Sequence, residues 1–146
     1  MEKKPRGGDL RKGRASLPLQ VYLVTTVVEG RRPVFRDLYN ERILVRALRH
    51  QQEKGNVSSL AYVIMPDHLH WLFQLGDRKS LAQVVGIVKG FSARELNARL
   101  GGEGRLWQKG FHDHALRREE DLRAAGRYVV ANPLRAGLVR SVADYP

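Results

Sequence analysis

The chain has no cysteine among its 146 residues. Disulfide staples and thiolate metal sites are therefore excluded, a cytoplasmic, reducing location is expected, and any metal must be held by histidine, carboxylate or amide groups. Long apolar runs are missing too. Nothing approaches the roughly 18 residues of a membrane-spanning helix, and the basic N-terminal stretch lacks the apolar segment of a secretory signal, so no membrane partner is expected. Acidic residues are scarce: fifteen Asp and Glu stand against twenty-six Lys and Arg, for a net charge of +11 and a pI near 10.5. So basic a chain calls for a polyanionic partner rather than a small-molecule substrate, although charge does not choose between DNA, RNA and acidic lipid.

What is present fits one folded domain, with 42% hydrophobic residues and a length sufficient for a real core. Residues 1–16, "MEKKPRGGDLRKGRAS", are basic and glycine-rich with almost nothing apolar, and read as a flexible arm suited to touching a phosphate backbone; 17–146 read as the domain. β-Branched residues predict a strand over 21–28, and two more follow at 59–66 and 68–75, close enough to form a hairpin or a bulged pair. Leu38, Ile43, Leu44, Ala47 and Leu48 are spaced for an amphipathic helix from Asp37 to about Glu53. Ser80 reads as the N-cap of a second helix with Leu81, Val84, Val85, Val88, Phe91 and Leu96 as its stripe. A fourth strand over 113–117 and a last helix stopped by Pro133 complete the pattern. Strand, helix, strand, strand, helix, strand, helix predicts an α+β, ferredoxin-like (RRM-like) antiparallel sheet with its core helices on one face and an added C-terminal helix.

Period-2 alternation puts Leu69, Trp71, Phe73 and Leu75 on one face of the third strand and His68, His70, Leu72 and Gln74 on the other, which this architecture would leave open. Two histidines at i and i+2 can share one divalent ion, or can be two polar residues on a wet sheet face. On the last helix Tyr128 and Asn132 are one turn apart. The phenol is a candidate nucleophile or a core-edge residue, and the amide a candidate hard ligand or a helix C-cap.

Four stretches, "LRKGRASLP", "YVIMPDHLHWLF", "LWQKGFHDHALR" and "YVVANPLRAGLV", in this order and spacing, resemble the REP-associated tyrosine transposases, a branch of the single-tyrosine HUH transposases. The resemblance implies that His68 and His70 are the paired metal ligands, that Tyr128 is the nucleophile, and that Asn132 completes the site, where glutamine is the more familiar choice. It implies Mg²⁺ or Mn²⁺ as cofactor and, as partner, single-stranded DNA with a hairpin, cleaved and rejoined through a 5′-phosphotyrosine by a monomer or a homodimer. Arg11, Lys12 and Arg14 in the arm, Lys89 and Arg94 on the second helix, Trp107 as a base-stacking surface, and Lys109 and Arg117 flanking the fourth strand are the expected DNA contacts. His112 and His114, a second i, i+2 pair, fall outside the family's metal motif and read as structural or DNA-facing. Leu19 stands where relatives commonly carry glycine. The main rival reading is a non-catalytic nucleic-acid-binding module on the same sheet, for which aromatic residues alternating on the open face would be expected.

Overall fold

The computed structural model describes residues 17–118 and 121–127. Arg11, Lys12 and Arg14, together with Tyr128 and Asn132, lie outside the described residues. Within them the chain runs β1 (Val21–Val27), α1 (Leu38–Glu53), β2 (Val57–Met65), β3 (His68–Leu75), α2 (Leu81–Leu100) and β4 (His112–Leu116), followed by helical residues at 121–127. The four strands form one antiparallel sheet in the order β2-β3-β1-β4. This is the expected ferredoxin-like topology: the two strands that follow helices take the outer positions, and β1 and β3 the centre.

Local chemistry starts and stops the elements. Asp37 caps α1 by accepting a hydrogen bond from the Tyr39 backbone N–H, satisfying one of the donors that a helix start leaves orphaned. The buried stripe Asn40, Ile43, Leu44, Ala47, Leu48 and Gln51 follows the helical period and turns that side of α1 to the sheet; each fully covered leucine contributes about 1.5–3 kcal/mol. Ser80 and Gln83 close a reciprocal capping box on α2. Gly101 ends that helix in the left-handed conformation, φ +70°, which glycine adopts without a Cβ penalty. The residues between β1 and α1 form two 3-10 turns, Glu29–Arg31 and Val34–Arg36.

Both helices cover the face formed by Tyr22, Val24, Ile64, Leu69, Trp71, Phe73 and Leu75, which with the helix stripes make one core. Trp71 and Phe73 stack at 4.1 Å between ring centroids, and the Trp71 Nε1–H donates to Ser59 Oγ at 2.9 Å. That bond sits at the irregularity between Ser59 and Ala61 in β2, and β2 starts at Val57, two residues before the expected strand. Leu19 sits at φ +67°, a left-handed conformation that costs a non-glycine residue about 1–2 kcal/mol. It is kept there by its N–H donating to the Leu75 carbonyl (2.8 Å) and its carbonyl accepting from Gln74 Nε2 (3.0 Å).

The face opposite the helices is not uniformly open, and here the sequence expectation needs correcting. Val63, Met65, His70 and Leu72 are buried on it, and Leu23 and Ala61 pack with Val63 and Met65 in a second apolar cluster. The apolar side chains on this face come from β1 and β2, with Leu72 from β3, so β2 carries apolar residues on both faces, the pattern of a strand that is buried on both sides. His112 and His114, by contrast, are exposed at the β4 edge.

Candidate active site

A two-residue connection, Pro66 and Asp67, joins β2 to β3 with Met65 paired to His68. The turn is pinned from outside: the Pro66 carbonyl accepts from the Phe35 N–H (3.0 Å) and the Asp67 carbonyl from the Val28 N–H (2.8 Å). His68 therefore begins β3 at a fixed register, and His70 follows on the same face, as the alternation predicted.

Each histidine is oriented through its Nδ1. The His68 Nδ1–H donates to Asp67 Oδ1 at 2.7 Å, and the other oxygen of that carboxylate accepts from Arg31 Nε at 2.9 Å. Burial works against the Asp67 charge, but the hydrogen bonds and charges of His68 and Arg31 prevail and hold its pKa below the ordinary carboxylate value. Asp67 is thus an ionised acceptor, and that fixes the His68 tautomer with its proton on Nδ1. Arg31 makes this contact from a backbone φ of +52°, a conformation unusual for a non-glycine residue and of the kind found at constrained sites.

His70 Nδ1 lies 2.9 Å from Thr25 Oγ1 on the neighbouring strand, where Thr25 and His70 are register partners. Burial first, and the nearby His68 second, push the His70 pKa down to about 4, so this ring is neutral at physiological pH. The two imidazoles meet edge to face at 4.8 Å between centroids. With Nδ1 of each ring directed to an orienting oxygen, Nε2 is the nitrogen that a metal would take. At histidine metal sites an acceptor on the other ring nitrogen fixes the orientation of the ring and raises its basicity as a ligand. Among the described residues no group of three His, Cys, Asp or Glu gathers around the pair; the histidines offer two nitrogen donors, and Asn132, the expected third ligand, lies outside the described residues.

The remaining expected contacts separate. Arg94, Lys109 and Arg117 are exposed. Trp107 is a correction: it is 2% exposed, its Nε1–H donates to Ser92 Oγ at 2.9 Å, and its ring packs on Phe35 at 5.4 Å, so no ring face is open for a base to stack on. The Lys89 ammonium donates to the carbonyls of Gln108 (2.8 Å) and Gly110 (2.6 Å), and so ties α2 to the loop before β4. Asp67, Thr25 and Arg31 were missed from the sequence. Asp67 adjoins the first histidine and could have been suspected; Thr25 and Arg31 become partners only through the β1–β3 register and the Glu29–Arg31 turn.

Comparison with known proteins places the chain in a family and supports the fold. The family described as "Transposase IS200 like" matches residues 17–132. The Haemophilus influenzae protein named "Putative REP-associated tyrosine transposase" is 28% identical over 137 residues, covering 86% of this chain and 77% of its own length. The Escherichia coli K12 REP-associated tyrosine transposase is 32% identical over 88 residues, 59% of this chain and 50% of its own. A solved structure of a REP-associated tyrosine transposase bound to a REP hairpin superposes with a TM-score of 0.76 at 21% identity, covering all of this chain and 81% of that one. A ferredoxin-like sheet that presents an oriented histidine pair, matched along most of its length by that family, identifies the chain as a member of the IS200-like transposases, which are enzymes.

Proposed function

We propose that the chain cleaves and rejoins single-stranded DNA beside hairpins of the REP type, with Tyr128 as nucleophile and a divalent ion held by His68, His70 and Asn132. The observation that carries this reading is the pair of Nδ1-anchored imidazoles on one sheet face of a basic chain, two nitrogen donors held ready for one ion.

A bound divalent ion would polarise the scissile phosphate and neutralise its developing charge. Nitrogen donors suit Mn²⁺ better than Mg²⁺, whose preference is for oxygen, so Mn²⁺ is expected to bind more tightly to this donor set. The Tyr128 oxygen attacks phosphorus, the bond from phosphorus to the 3′ oxygen breaks, and that oxygen takes up a proton. The products are a 5′-phosphotyrosine and a free 3′-hydroxyl. Because the phosphodiester energy is kept in the covalent link, attack by a 3′-hydroxyl reverses the step without ATP. The chain's own contribution is to hold the histidines: Asp67 and Thr25 fix the rings, and the burial of His70 keeps it unprotonated and available as a ligand.

The non-catalytic alternative is disfavoured by the sheet itself. The strand residues Tyr22, Tyr62, Trp71 and Phe73 alternate onto the helix-covered face, leaving no Phe, Tyr or Trp on the opposite face of the four strands, where an RRM-type binder would carry them. The test is a denaturing gel of the protein with labelled hairpin oligonucleotides in Mg²⁺, Mn²⁺ or EDTA, beside Tyr128→Phe. A metal-dependent, SDS-resistant adduct that disappears in the variant while binding persists is expected. Salt-sensitive binding with no adduct under either metal would refute catalysis at this site.

A further inference from the structure

The sheet register brings a second histidine pair onto the face of the first. Thr25 pairs with His70 on one side and with His112 on the other, and Leu23 pairs likewise with Leu72 and His114. His112 and His114 therefore point to the same side of the sheet as His68 and His70, and His112 stands two strand spacings from His70, roughly 10 Å. Accessibility changes along this row. Val63, His70 and Leu72 are buried, Leu23 and Thr25 are half-buried, and His112 and His114 are exposed. Across the strands, the solvent-accessible side of the catalytic histidines is thus the β4 side.

The charge of that edge suits an anion. Exposed Lys109 precedes β4, and exposed Arg117 and Arg118 follow it. The one acid within the strand, Asp113, pairs with Val24 and so belongs to the other face.

We propose that the outward face of β4, His112 and His114 with Lys109 and Arg117 at its ends, is the track along which the single-stranded part of the DNA substrate reaches the catalytic histidines. This rests on the catalytic reading above and adds the path that the substrate takes. The imidazoles stack on or hydrogen-bond to unpaired bases, while the flanking cations take the phosphates. A duplex stem, whose bases are already stacked, gains nothing from the imidazoles.

Fluorescence anisotropy with hairpin oligonucleotides, with and without single-stranded flanks, tests this in a Tyr128→Phe background that cannot cleave. The double substitution His112→Ala/His114→Ala is expected to weaken binding of the flanked hairpin by about fivefold or more, and to leave the flank-free hairpin and the affinity for Mn²⁺ unchanged. Both side chains are exposed, so the fold is expected to persist, and His112→Phe/His114→Phe should recover part of the loss through stacking. Equal effects on flanked and flank-free hairpins, or no effect on either, overturns the track, and so does a loss of Mn²⁺ affinity, which would make the pair metal ligands instead. The readout needs no cleavage. A missing adduct in the unmodified chain would strike the catalytic reading alone.

Discussion

Removing the Asp67 carboxylate is the sharpest perturbation of the candidate metal site that leaves both histidines in place. Asp67 makes two bonds of unequal weight. The one to His68 is short, 2.7 Å, between side chains only 17% and 22% exposed, whereas the one to Arg31 reaches a guanidinium that is 62% exposed. An exposed ion pair contributes about 1 kcal/mol or less, so Arg31 is expected to matter little in itself. The His68 bond fixes a tautomer and a ring orientation. Loss of the acceptor that orients a metal-binding histidine commonly weakens metal binding by about 10- to 100-fold, that is, about 1.4–2.7 kcal/mol. Asp67→Ala is accordingly expected to weaken Mn²⁺ binding within that range, Asp67→Asn by less because an acceptor oxygen remains, and Arg31→Ala by less than about threefold. The assay is a calorimetric or EPR titration of metal-free protein with Mn²⁺, with near-UV circular dichroism to show that packing is intact. Nitrogen chemical shifts of His68 give an independent reading, since they report which ring nitrogen carries the proton. Folded Asp67→Ala protein that binds Mn²⁺ as tightly as the unmodified chain would refute the orienting role.

Two stability predictions follow from the same structure. Burial and His68 depress His70 to about 4 from the usual 6.5, so between these values the unfolded chain binds a proton that the folded chain does not. The stability of metal-free protein should therefore rise with pH across that window, by up to about 3 kcal/mol, with no further gain from this group above it. Urea unfolding across the window should show that slope flattened in His70→Gln, and parallel profiles for the two proteins would contradict the assignment. Leu19 is 67% exposed and held at φ +67°, so Leu19→Gly relieves backbone strain at no packing cost. The gain, net of the added chain entropy of glycine, should be about 1 kcal/mol or less, read as a higher urea midpoint; a lower midpoint would mean that the leucine side chain stabilises the turn.

The sequence by itself determined those features that depend on near neighbours. Alternation set β3 at 68–75 and divided its two faces correctly, Ser80 marked the cap of α2, and the 3.6-residue stripes oriented both helices, because side-chain direction in regular elements follows from backbone period. The histidine pair was legible for the same reason, and the charge balance pointed to a polyanion before any fold was known. Tertiary structure decided what depends on which strands become neighbours. The order β2-β3-β1-β4 brings Thr25 to His70 and aligns His112 with both, although these residues are separated by more than forty positions in the chain. Packing of α2 against the loop before β4 buries Trp107 and engages Lys89, two residues that the family resemblance had offered as DNA contacts. Periodicity cannot see such pairings, since it records the direction of a side chain within its own element and not the element it will meet.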